Sequence, residues 1–191
     1  MAVKEAEKYV AVFDAEYTAK TNEYKGIQEM IQCALLITRF EDNQLCDPVE
    51  TYKAFVKTTY NKSLSDFVVK LTGIKKENVE SGQELAVVID SLIDCLEKYD
   101  VQSIYIWGPD RKVLSYNLEL IAYPKDKAMC LLNKMVDISE QLSSKLGSHK
   151  TLSQLKACKL CGVKPVGKNH NAPDDARNLV ALINNNIEIL N

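Results

Sequence analysis

Asp14 and Glu16 stand one residue apart near the start of the chain, and His170, Asp174 and Asp175 gather near its end. Two carboxylates at that spacing can grip a hard cation, and an imidazole can take a proton from water near neutral pH. The segment before Asp14, Tyr9-Val10-Ala11-Val12-Phe13, is short, apolar and partly β-branched, as a buried strand requires. Strand side chains alternate faces, so Asp14 and Glu16 point the same way at the strand's C-terminal end, where open α/β sheets place their ligands.

The later group is expected to open a helix with Pro173 at its first position, running to about Ile187. Its apolar stripe is Ala176, Leu179, Val180, Ile183 and Ile187. At about 100° per residue, Asp175 lies at the edge of that stripe, whereas Asp174 sits nearly opposite as a solvated acid favoured by the helix dipole. Trp107-Gly108-Pro109-Asp110 follows an apolar strand candidate, Ser103 to Trp107, and leads into Val113, Leu114, Asn117, Leu118 and Ile121 at helical spacing. Asp110 falls on that packing face, as a site carboxylate or as a plain helix cap.

Four carboxylates drawn together repel by roughly 1 kcal/mol per pair in water and about 4 kcal/mol at an effective dielectric near 20, at about 4 Å. Two divalent cations would neutralise them. Oxygen ligands without clustered cysteine or histidine suit Mg²⁺ or Mn²⁺ rather than zinc.

With these motifs the chain resembles the DnaQ-like (DEDDh) 3′–5′ exonucleases over nearly its whole length. Phe13-Asp14-Ala15-Glu16-Tyr17-Thr18 resembles the first motif, Asp110 with Leu114 the second, and His170-Asn171-Ala172-Pro173-Asp174-Asp175-Ala176 the third. Glu29 to Ala34 is similar to the family's second strand and Phe55-Val56-Lys57 to the end of its third. Leu71-Thr72-Gly73-Ile74, Asn78-Val79 and the amphipathic stretch after them look like the ERI/KapD-like branch, largely RNA-trimming enzymes. The turn before Asp110 is one residue shorter than that branch's Trp-Gly-x-x-Asp form, and a tighter strand-to-helix turn is expected.

The resemblance implies a ribonuclease H-like mixed five-stranded sheet flanked by helices. It further implies metal-assisted hydrolysis of the terminal phosphodiester of single-stranded nucleic acid, RNA slightly ahead of DNA, releasing nucleoside 5′-monophosphates. Asp14 would bridge two Mg²⁺ or Mn²⁺ ions, Glu16 and Asp175 would complete the shell of the first ion, and Asp110 would hold the second. His170 would be the general base, with Ala15, Tyr17 and Thr18 placed to touch the terminal nucleotide. Two other classes stay open: a catalytically silent binding protein on the same fold, and an accessory or proofreading subunit of a polymerase.

A single domain over residues 1–191 is expected from the length and apolar content. The remaining pattern suggests three strands, with a turn at Glu41 to Gln44, then helices near Ser65 to Leu71 and Gln83 to Leu96. After the helix at Asp110 come a fifth strand at Met135 to Ile138 and helices near Ser139 to Leu146, Leu152 to Leu160 and Pro173 to Ile187. Cys158 and Cys161 read as small apolar packing, and His149 as a solvated loop residue. No apolar run reaches membrane-spanning length and Met1 to Glu7 is too charged for a secretory signal, so a cytoplasmic enzyme with reduced thiols is expected. Twenty-four basic against twenty-six acidic residues leave a net charge of −2, which argues against broad coating of a duplex. A local rim of Lys164, Lys168 and Arg177 could still meet the phosphates of a short 3′ end.

Overall fold

The computed structural model describes residues 9–19 and 26–190; Met1 to Glu7 lie outside them. Three strands open the chain: β1 (Tyr9–Tyr17), β2 (Met30–Glu41) and β3 (Gln44–Phe55). Short helices α1 (Asp66–Thr72) and α2 (Lys76–Glu80) precede α3 (Leu85–Lys98) and β4 (Ile104–Ile106). Then come α4 (Asp110–Leu120), α5 (Lys125–Lys134), β5 (Met135–Asp137), α6 (Ser139–Lys145), α7 (Gln154–Leu160) and α8 (Ala172–Asn184), with a closing 3-10 turn at Ile187–Leu190.

The sheet order is β3-β2-β1-β4-β5, antiparallel through β3, β2 and β1 and parallel through β1, β4 and β5. The mixed five-stranded α/β sheet expected from the sequence is therefore present. β2 turns into β3 at Asp42 and Asn43, both with positive φ (49° and 60°), the backbone that a tight two-residue hairpin needs.

Alternation along β1 divides the interior in two. Ala11, Phe13 and Ala15 face α3, α4 and α5, where Val88, Ile89, Leu92, Leu114 and Leu118 complete one core. Val10 and Val12 face the other way with Ala34 and Leu36, packing on Leu142, Ala157, Ala176, Leu179 and Ile183 of α6, α7 and α8. The same alternation carries Asp14 and Glu16 out beyond the second core, toward the start of α8.

Several boundaries differ from expectation. β1 continues through the acidic motif to Tyr17, because β2 pairs with it as far as Met30, across a bulge. The stretch before α3 breaks at Ser81-Gly82, where Gly82 presses on the backbone of Phe55 and Val56, leaving α2 as a separate turn. Helix α8 starts one residue earlier, with Pro173 in its first turn, and stops at Asn184. Helix α5 was not foreseen. Its buried residues are only Ala128, Leu131 and Leu132, a stripe too thin to show a period among five polar positions and a cysteine.

Candidate active site

β1 delivers two of the acids. Glu16 is buried and Asp14 partly so. Directly opposite Glu16 on β2 stands Gln32, whose Oε1 accepts a hydrogen bond from the Ala172 N–H at 3.0 Å. One buried amide thus ties the beginning of α8 to the strand pair that carries the carboxylates.

The loop into α8 is held from both ends. Asn178 accepts from the Val166 N–H (2.8 Å) and donates to its carbonyl (3.2 Å), so the helix grips the strand of chain that precedes it. His170 takes a left-handed backbone, φ 61°, uncommon outside glycine and costly unless its surroundings fix it. Here they do: Asp175 Oδ2 accepts from the His170 N–H at 2.8 Å, and Gln154 of α7 donates to the Asp175 carbonyl at 3.0 Å. Asp175 is buried on the side facing the sheet, as the helical spacing indicated. Its other oxygen, Oδ1, is buried without a hydrogen-bond partner.

Asp174 does more than meet the helix dipole. Its Oδ2 accepts from the Lys168 N–H (3.0 Å), its Oδ1 pairs with Arg177 (3.0 Å), and its carboxylate lies against the bare Cα of Gly167, which has φ 66°. The expectation of a merely solvated acid is corrected: Asp174 clamps the loop whose end is His170. Lys168, in turn, lays its ammonium over Gly73, the left-handed residue (φ 77°) that ends α1.

Asp110 arrives by another route. Gly108 adopts φ 90°, Pro109 occupies the N-cap position, and Asp110 becomes the first helical residue, buried. The shortened turn is accommodated by that glycine, and the capping alternative falls away because Asp110 is inside the helix. Asp137 at the end of β5 braces the turn, its Oδ1 accepting from the N–H groups of Gly108 and Ser139, each at 2.9 Å. Sequence reasoning missed Asp137, although the rule that ligands collect at strand C-terminal ends applies to β5 as well as to β1.

Ligand atoms of Glu16, His170 and Asp175 all lie within 4.8 Å of one another, and among the described residues this is the group able to hold a metal ion. Asp14 and Asp110 adjoin it electrostatically. Burial and then the charges of Asp110, Asp175 and Glu16 raise Asp14 well above the ordinary carboxylate range. Burial, then Asp175 and Asp110, push Glu16 up to about 8, with Lys168 pulling it down. Asp110 is raised to about 7 by burial, with Asp137 adding to the rise and the neighbouring Tyr17 opposing it. Asp175 is raised by burial and held back mainly by the His170 N–H.

Four acids that resist ionising together, with one buried carboxylate oxygen lacking any partner, make a donor set that suits a bound cation. The hard oxygen donors, with one imidazole, fit Mg²⁺ or Mn²⁺.

The other sequence candidates are placed as follows. Ala15 turns its side chain into the core under α3 and α4. The Tyr17 hydroxyl is buried next to Asp110 and Asp14. Thr18 is buried, its hydroxyl accepting from the Glu29 N–H at 2.9 Å. Lys164 is exposed, and His149 lies exposed in the loop between α6 and α7, outside the metal-competent group. Cys158 is buried between α7 and α8, and all six cysteines are free.

A model of the RNase T-type exonuclease family matches residues 11–183, from the middle of β1 into the last turns of α8. The chain belongs to this exonuclease family. The resemblance to DnaQ-like (DEDDh) 3′–5′ exonucleases is thereby borne out. Solved structures share the exonuclease's fold. The nuclease domain of 3′hExo, a DEDDh family member bound to rAMP, matches with a TM-score of 0.77 at 18% identity, over 97% of this chain and 94% of that one. A 3′-exonuclease that recognises the 3′ end of a histone mRNA stem-loop gives 0.79 at 19% identity, over 93% of this chain. Cell-death related nuclease 4 gives 0.78 at 15%, over 95% of this chain. The exonuclease spans 62% and 64% of the lengths of those last two chains. No curated protein matches it by sequence. Among its described residues no helix is long and apolar enough to cross a membrane.

Proposed function

We propose that this exonuclease removes nucleotides one at a time from single-stranded 3′ ends, RNA ahead of DNA, releasing nucleoside 5′-monophosphates. The observation that carries this is the buried, unpartnered Asp175 Oδ1 set among Glu16, His170, Asp14 and Asp110. Asp14, Glu16, Asp110 and Asp175 would hold two divalent cations, Mg²⁺ or Mn²⁺, which when bound supply positive charge against the phosphodiester and make water a better nucleophile. His170 takes the proton of the attacking water while its neighbour Asp175 fixes the backbone that aims it. Water oxygen bonds to phosphorus, the bond from phosphorus to the 3′ oxygen breaks, and the shortened strand leaves with that oxygen protonated.

Tyr17 packs beside Asp110 and keeps that carboxylate in place. Lys168, the cation that acts on Glu16, meets the terminal phosphate. The preference for RNA takes its support from the rAMP and mRNA stem-loop in two solved structures of the same fold. The cytoplasm, where six free thiols stay reduced, is the proposed compartment.

Digestion of matched 5′-labelled single-stranded RNA and DNA with Mg²⁺, Mn²⁺ or EDTA, beside His170→Ala, tests this. A descending ladder that needs both metal and His170 is expected, faster on RNA. Internal cuts, or shortening that survives EDTA, would refute it.

A further inference from the structure

Between the β2–β3 edge of the sheet and the start of α8 lies a groove of about 420 Å³, walled by Gln32, Lys53, Phe55, Asn171, Pro173 and Arg177. Its position follows from strand register. Glu16, Gln32 and Phe55 are paired directly across β1, β2 and β3, as are Asp14, Ala34 and Lys53. Residues directly opposed share a face, so Gln32, Phe55 and Lys53 stand on the face that carries Asp14 and Glu16. Two strand spacings, about 9–10 Å, separate the acids from β3. Ala34 is covered by α8 and Gln32 is buried beneath the Ala172 N–H, so a strand reaching the groove from the acids passes over the start of α8. The groove's inner end therefore lies one strand from Glu16 and one residue along the chain from His170.

Its chemistry suits a polyanion with bases. Lys53 is exposed and has no ion-pair partner among the described residues. Arg177 and Asp174 also line it and pair with each other, so the groove keeps one net positive charge in a chain of net charge −2. Phe55 packs against Ile31, Val68, Ile74 and Val79 yet stays only partly buried and lines the groove, where its exposed part can meet an unstacked base. The Gln32 side chain is buried, its Oε1 committed to α8, and its amide nitrogen is left to the groove.

We propose, building on the exonuclease function above, that this groove carries the substrate strand immediately upstream of the scissile bond, with Lys53 on its phosphates and Phe55 against a base. The 3′-terminal nucleotide then sits at the acids and the strand leaves across the sheet toward β3. Lys53 is a specificity residue for strand length and takes no part in bond breaking.

The test compares a short single-stranded oligonucleotide with a p-nitrophenyl nucleotide ester, which offers the terminal nucleotide alone. Wild type, Lys53→Ala and Lys53→Glu are measured over a range of salt. For the oligonucleotide, kcat/KM should fall about threefold in Lys53→Ala and about tenfold in Lys53→Glu through KM, with the log–log salt slope reduced by about 0.7 for the lost phosphate contact. Hydrolysis of the ester should change less than about twofold, since no upstream phosphate is present. Equal losses on both substrates, or none on either, would overturn the groove's role. If wild type cleaves neither, the exonuclease function itself fails, and equilibrium binding of the oligonucleotide decides the groove: tenfold weaker Kd in Lys53→Glu supports it and an unchanged Kd overturns it.

Discussion

Replacing Glu16 by glutamine should stabilise the metal-free protein, and increasingly so as pH rises. In the folded chain Glu16 is pushed from 4.5 to about 8 by burial and by Asp175 and Asp110. Between those values the folded state binds a proton that the unfolded state has released, so stability declines with rising pH. At 1.36 kcal/mol for each pH unit, the full penalty is about 5 kcal/mol by pH 8. For a chain of this size, each kcal/mol moves Tm by about 2–4 °C, so wild type and Glu16→Gln should separate by roughly 10–20 °C. The two curves should converge below about pH 4.5, where Glu16 becomes protonated in both states. Thermal unfolding in EDTA from pH 5 to pH 8.5 measures this directly. Mg²⁺ should narrow the gap at pH 8 by up to about 2.7 kcal/mol at a hundredfold excess over its Kd, because it raises wild type and raises the variant less. A difference that does not grow with pH, or a variant less stable than wild type at pH 8 in EDTA, would refute an electrostatic origin.

Three further outcomes are expected. Asp175→Ala should remove activity altogether, whereas Asp174→Ala should cost a few-fold in kcat/KM and about 1 kcal/mol of stability through the freed Lys168 N–H; equal losses in steady-state assays would show that the two helix faces are not functionally distinct. His170→Ala should lower kcat by about 10²–10⁴, with circular dichroism unchanged. Asn117→Ala deletes the acceptor of the buried Met30 N–H and the donor to the Gln28 carbonyl, both at 2.9 Å, and should lower stability by about 2–3 kcal/mol in urea titration without changing metal dependence.

What could be read from the sequence was what alternation and helical period encode. Two residues per repeat in β1 put Asp14 beside Glu16 on one face, and the period of α8 chose Asp175 over Asp174 for the buried side. The mixed five-stranded sheet came from the family likeness, and its strand order was not foreseen, since no local pattern states that β1 lies between β2 and β4. Hidden features were those made by contacts distant in sequence. Asp137 reaches the site through a hydrogen bond to Gly108 and its charge on Asp110, and Asp174 can clamp the loop because Gly167 has no Cβ. The Thr18 hydroxyl is occupied by the Glu29 N–H, a pairing no strand propensity foretells.

Helix α8 packs on β1, β2 and β3 while bringing His170 and Asp175 to acids that lie more than 150 residues earlier in the chain. Chemistry is thus assigned to the part of the domain that a ribosome makes last. A nascent chain that has already formed β1 to β5 holds Asp14, Glu16 and Asp110 with no imidazole across from them, and the second core is still open to water. Until α8 docks, the site lacks His170 and Asp175, and with them the group able to hold a metal ion. The seam between α8 and the sheet therefore works as a safety catch on the enzyme.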